Sequence, residues 1–356
     1  MKSWKLALVL VGTLMGSPVT ARGAQSAAQP APDQNCAFVA QANADASAGT
    51  PNIQHDGSPL PGIPAPDISA GFGGIPRSAQ PPLTATQRRI LECTYHLAEA
   101  NAEMPYTLFV PTSYDPDVPI ALIVDLHGLN ITPLQQILFD GTTDFAERYG
   151  FIVVAPMGFN LSGWWGSRPG SAVESAQMNP ATGARYTTGE LSEIDAMKVL
   201  GLIRESYNVD EDRVYLMGHS MGGSGTYHLG GKYNDVWAGV APLAGAGGIT
   251  SAEAAASFAS VPVFLMHGEF DSIVSANGSR RSAMWLQEIG AQHLYVEVPG
   301  ADHEFWIRRG AEHMEKVFHF FSAVSKGTNV GPITPGMIPP PANQGRGGAT
   351  PGTPGG

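Results

Sequence analysis

The sequence predicts an α/β fold, with a mostly parallel central sheet covered by helices on both faces. Three observations carry that expectation. Short, continuous apolar runs recur through the middle of the chain, as strands buried on both faces require. Segments of helical period separate those runs, and such alternation is how parallel sheets are built. The alternation fills residues 84–326, roughly 240 residues, a reasonable size for one such domain.

The elements follow in chain order. Residues 1–21 read as an export signal. Lys2 and Lys5 give a basic start, Leu6 to Met15 an apolar centre, and Val19-Thr20-Ala21 the small residues favoured at a cleavage site. The apolar run is shorter than the ~20 residues that a membrane span needs. No later uncharged stretch has the length and hydrophobicity to span, so no membrane span is expected. Residues 22–83 hold ten prolines and little periodicity, and read as a loop-rich arm. In the body, strands are expected at Tyr106–Val110, Ile120–Leu126, Phe151–Ala155, Arg213–Met217, Val261–Met266 and Leu294–Val298. Helices are expected over Ser192–Tyr207 and Ser279–Ile289, where apolar residues recur near helical spacing. Residues 327–356 contain nine Gly and seven Pro, which predicts a disordered tail.

Composition narrows the chemistry. The chain has 356 residues, 43% of them hydrophobic and 14% charged, with 20 Lys+Arg against 31 Asp+Glu. That balance argues against a nucleic-acid partner, whose binding rests on a basic face. It leaves neutral substrates open. Two cysteines are too few for a disulfide scaffold or a four-cysteine zinc site. Export to an oxidising compartment favours pairing Cys36 with Cys93, which would tie the arm to the start of the body. No H-E-x-x-H or similar ligand spacing occurs, so no catalytic zinc is expected.

One motif carries chemistry. Gly218-His219-Ser220-Met221-Gly222 matches G-x-S-x-G, directly after the strand Arg213–Met217 and before a run of small residues. A strand–turn–helix setting of this kind is a nucleophile elbow. A serine hydroxyl needs a base to take its proton, and the base needs a carboxylate to orient it. His303 lies just past the strand Leu294–Val298, and Asp271 a few residues past Val261–Met266. Catalytic groups gather at such strand ends. Glu269 and Asp302 are the rival carboxylates. His219 and His267, beside motif glycines, read as structural, and Asp195 as a surface or cap residue. Two backbone N–H groups should face the developing oxyanion: that of Met221, after the nucleophile, and that of Leu129, with Gly128 the second choice, in the His127-Gly128-Leu129-Asn130 segment after Ile120–Leu126.

The ordered segments DLHG, GHSMGG, HGEFD and GADH span most of residues 84–326 and resemble the α/β-hydrolase superfamily of serine hydrolases. The phrases VYLMGHSMGG and VWAGVAPLAGA make the chain most similar to secreted polyhydroxybutyrate-depolymerase-like and feruloyl-esterase-like enzymes, and to prolyl-oligopeptidase-like catalytic domains. The resemblance implies a cofactor-free esterase working through an acyl-enzyme on a small or polymeric ester. It also implies that Tyr106–Val110 runs antiparallel. Around His303 the chain departs from the Gly-Gly-His-x-Trp-Pro segment of depolymerase-like relatives, which counts against a polyester. Phe159 to Leu191 is a long insertion on the catalytic side, where Trp164 or Trp165, with Trp306 as a third candidate, would stack on an aromatic or sugar group; the alternative is that they pack the insertion onto the body. A serine peptidase and a non-catalytic binding protein of the same fold are the competing readings.

Overall fold

The computed structural model describes residues 35–39, 83–170, 175–303, 305–308 and 310–327. The export signal, most of the arm and all but the first residue of the tail lie outside them. In chain order the strands are β1 (Asn35–Phe38), β2 (Leu91–Leu97), β3 (Ala102–Phe109), β4 (Ile120–Leu126), β5 (Phe151–Pro156), β6 (Ala176–Met178), β7 (Arg185–Thr187), β8 (Val209–His219), β9 (Gly239–Leu243), β10 (Val263–Gly268) and β11 (His293–Val298). The helices are α1 (Pro133–Ile137), α2 (Thr142–Tyr149), α3 (Thr188–Ser206), α4 (Met221–Lys232), α5 (Ala252–Ala256), α6 (Asn277–Glu288), α7 (Phe305–Arg308) and α8 (Ala311–Ala323). None of the described helices is long and apolar enough to cross a membrane.

One nine-stranded sheet runs in the order β1-β2-β3-β5-β4-β8-β9-β10-β11. From β5 to β11 every pairing is parallel; β1, β2 and β3 add an antiparallel margin. Each central strand feeds two apolar layers, because successive side chains point to opposite faces. Leu122, Val124, Val214 and Leu216 join α3, α4 and α6 in one layer. Ile123, Val153, Tyr215 and Met217 join α2 and α8 in the other. Burial on both faces is why β4 and β5 read as unbroken apolar runs.

Several boundaries differ from the sequence expectation. The antiparallel strand expected at Tyr106–Val110 is the longer β3, and Arg213–Met217 is the core of the eleven-residue β8. β10 starts two residues late because Pro262 has no N–H to give a ladder. α3 starts at Thr188 rather than Ser192, fixed by a reciprocal cap: Glu190 N donates to Thr187 Oγ1 at 3.1 Å, and Thr187 N donates to Glu190 Oε2 at 2.7 Å. β1, β2 and β9 were not expected. β9 reads GVAPL, and its Pro242 sits in a central strand, where a proline argues against the assignment.

A disulfide joins Cys36 to Cys93, 57 residues apart, with the two residues directly opposite in the β1–β2 register. Asp125 on β4 is fully buried. Gln136 Nε2 donates to its Oδ1 at 2.9 Å, while Oδ2 has no hydrogen-bond partner among the described residues. Burial pushes this carboxyl up to about 8, against the pull of the Gln136 bond.

Candidate active site

β8 ends in a sharp turn whose apex is Ser220, with φ 59° and ψ −114°. A non-glycine residue at such angles is strained and persists only where its surroundings hold it. Here Ser220 N donates to Leu243 O at 2.9 Å, and Ser224 N to Ser220 O at 3.0 Å. The turn requires glycine at Gly222: a Cβ there would lie 1.8 Å from Leu126 O. α4 begins at Met221, so the N–H of Met221 has no acceptor within the helix and stands at the positive end of its dipole.

Three side chains from three strand ends meet at this apex. His303 Nε2 lies 2.8 Å from Ser220 Oγ, and His303 Nδ1 lies 2.6 Å from Asp271 Oδ2. Ser220, His303 and Asp271 thus form one hydrogen-bond chain. The carboxylate on His303 is Asp271; Glu269 instead accepts from Gly300 N at 2.9 Å, and Asp302 is exposed. The Asp271 side chain is buried, which alone would raise its pKa. Hydrogen bonds from His267, His303 and the N–H of Val274 outweigh burial and hold the carboxyl well below the usual range. Its Oδ1 accepts from Ile273 N at 2.9 Å and Val274 N at 2.7 Å.

Two further histidines brace this chain. His267 Nε2 lies 3.0 Å from Asp271 Oδ2 and 2.9 Å from Val274 O, and its Nδ1 lies 2.8 Å from Ser279 Oγ. Because Val274 O only accepts, the ring proton sits on Nε2 and Ser279 donates to Nδ1. His219 Nε2 donates to His303 O at 2.8 Å and fixes the backbone of that histidine. Burial pushes His219 down to about 3, so it is neutral at that post. Reading both as structural histidines left out what they hold: Asp271 and His303, two members of one hydrogen-bond chain.

The insertion after β5 corrects two residue readings. Trp165 is fully buried and lines no part of the cleft. Its N donates to Ser192 Oγ at 3.1 Å, its Nε1 to His127 O at 3.3 Å, and its ring fills the space a side chain at Gly225 would need. Trp165 therefore packs the insertion onto the body. Trp164 does reach the cleft, but the Arg168 guanidinium carbon lies 3.3 Å from the centroid of its ring and covers one face. The side chain of Trp306 lies outside the described residues. Asp195 is neither a surface nor a capping residue. It is fully buried in mid-α3, accepting from Tyr95 OH and, at 2.9 Å, from Phe159 N. Burial pushes its carboxyl up to about 6 despite those donors. It ties the insertion's first turn to the core, a role that polarity alone does not reveal.

A cleft of about 460 Å³ opens over Ser220. Leu129, Trp164, Arg168, Ile273 and Arg281 line it, so the loop after β4, the insertion and the head of α6 all meet the nucleophile there. The described residues hold no cluster of His, Cys, Asp or Glu suited to a metal ion.

A strained serine between a parallel strand and a helix, with a histidine and a carboxylate on later strand ends, is the architecture of an α/β-hydrolase. The known-protein comparisons agree. The Esterase family model, described as "Putative esterase", matches residues 98–312, and the chain belongs to that family. Among curated proteins it is 29% identical over 177 residues to the bifunctional acetylxylan esterase/xylanase XynS20E of Neocallimastix patriciarum, covering 50% of this chain and 23% of that one. It is 32% identical over 117 residues to feruloyl esterase B of Neurospora crassa, covering 33% of this chain and 36% of that one. The chain thus spans well under half the length of these relatives. Among solved structures, a thermostable esterase superposes with a TM-score of 0.51 at 25% identity, covering 67% of this chain and 64% of that one.

Proposed function

We propose that this protein is an exported serine esterase that hydrolyses carboxylic esters through Ser220, His303 and Asp271. The observation that carries the reading is the continuous 2.8 and 2.6 Å hydrogen-bond chain at the head of α4. Ser220 Oγ attacks the ester carbonyl while His303 Nε2 takes its proton. Asp271 holds the imidazole with Nε2 toward serine and stabilises the imidazolium that forms. The N–H groups of Met221 and Leu129 bind the oxyanion, each contributing about 2.7–4 kcal/mol of transition-state stabilisation. His303 then returns the proton to the departing alkoxide, leaving an acyl-enzyme. Water, deprotonated by the same imidazole, releases the acid. The relatives' names, feruloyl and acetylxylan esterase, support a feruloyl or acetyl ester as substrate. Export is supported by the signal-like residues 1–21 and the Cys36–Cys93 disulfide.

The test is hydrolysis of p-nitrophenyl esters of increasing acyl length by wild type and Ser220→Ala. Loss of at least about 10³-fold in kcat upholds the reading. A folded wild type that cleaves peptide amides but no ester overturns it.

A further inference from the structure

The cleft carries two cations that have no ion-pair partner among the described residues. Arg168 stacks on Trp164, and Arg281 projects from the first turns of α6; both line the cleft beside Ser220. Neither has a carboxylate partner among the described residues, and no carboxylate lines the cleft. The neighbouring Arg280 shows what pairing looks like here: its Nε and Nη2 hold Glu297 at 2.8 and 2.6 Å. One helical step turns Arg281 away from that carboxylate and toward the nucleophile. In a chain of net charge −11, two unpaired guanidinium groups converging on one cleft run against the general balance.

The geometry suits one kind of ligand. Stacking leaves the in-plane N–H edge of Arg168 free, and a guanidinium edge matches a carboxylate with two parallel hydrogen bonds. The same cleft is lined by the apolar side chains of Leu129, Trp164, Ile273 and Val274, with Ser275 and Asn277 its uncharged polar residues besides Ser220. We infer that the cleft selects esters bearing a second, ionised carboxylate, held by Arg168 and Arg281 across a short apolar spacer while Ser220 attacks the ester. This rests on the esterase reading above and deepens it by naming the substrate class. The carboxylate belongs either to the acyl part or to the alcohol part of the ester.

Two substrate pairs separate those cases. Mono-4-nitrophenyl succinate against 4-nitrophenyl pentanoate places the charge on the acyl side; 4-acetoxybenzoate against 4-acetoxybenzamide places it on the alcohol side. For each enzyme the readout is the ratio of kcat/KM, anionic over neutral, so partial misfolding of a variant cancels. Wild type is expected to favour the anion in at least one pair. Arg168→Gln with Arg281→Gln is expected to lower that ratio at least about tenfold, as loss of charged hydrogen bonds does. Arg168→Lys with Arg281→Lys should recover part of it. A wild type that prefers the neutral ester in both pairs, or a preference that survives the double Gln variant, overturns the inference while leaving the esterase reading intact. Equal hydrolysis of the neutral esters by wild type and Ser220→Ala overturns both.

Discussion

Gly222→Ala tests the elbow more sharply than removal of the nucleophile. The added methyl would lie 1.8 Å from Leu126 O, 2.6 Å from Leu126 C and 2.9 Å from His127 O. A carbon normally approaches a carbonyl oxygen no closer than ~3.3 Å, so the shortfall is about 1.5 Å. All three obstructing atoms are backbone, so no rotamer change relieves them. Either the end of β4 or the head of α4 must move, and these carry the N–H groups of Leu129 and Met221. Overpacking costs about 1–3 kcal/mol, and a backbone clash belongs at the upper end. For a domain of this size that lowers Tm by about 6–12 °C. A displacement of about 1 Å at the reacting groups costs about 10²-fold in rate. The assay is thermal unfolding followed by circular dichroism, with kcat/KM on p-nitrophenyl acetate. Gly201→Ala is the control: it lies inside α3 with no atom within 4 Å of a new Cβ, and should gain about 0.5–1 kcal/mol. A Gly222→Ala protein with Tm within about 2 °C of wild type and kcat/KM within about threefold would refute the reasoning.

Trp165→Ala should cost about 3–5 kcal/mol in urea unfolding, because it empties a fully buried site and frees the insertion turn. Cys36→Ser with Cys93→Ser should lower stability by about 4 kcal/mol in the same assay, the chain-entropy value for a loop of this length. Asp125 has a folded pKa of about 8, above its unfolded value. The stability it contributes is therefore complete below about pH 4 and is lost as pH rises toward 8. Asp125→Asn should flatten the fall of unfolding free energy across that range by up to about 1.4 kcal/mol per pH unit; parallel curves for variant and wild type would refute it.

What could be read beforehand follows from how local each signal is. β4 and β5 announce themselves because both their faces are buried, so every residue is apolar. β2 (LECTYHL) mixes polar and apolar residues at the antiparallel margin, and β9 hides behind Pro242; only their neighbours in the sheet define them. Ser220, Asp271 and His303 are brought together because each follows the end of a strand, a position that order along the chain reveals. His267 and His219 look alike in sequence, yet one braces Asp271 and the other His303; that distinction needs the fold. The same holds for the adjacent Trp164 and Trp165. Both have positive φ, a local twist that sends one indole to the cleft and the other into the core. Arg168 carried no motif at all, and Asp195 looked like any helix-surface carboxylate until Tyr95 and the insertion closed over it.

The strand β1 has a consequence for handling the protein. Its four residues pair with Leu91 to Thr94 and leave Tyr95 to Leu97 without a strand on that side among the described residues. A disulfide holds this short cover in place. Under reducing conditions the cover is tethered by backbone pairing and by the buried side chain of Val39 beside it, and its release would replace a four-residue outer strand by the seven-residue edge of β2. An unpaired margin is a template on which a second chain can add, so reduction of the two cysteines would favour a longer template for aggregation.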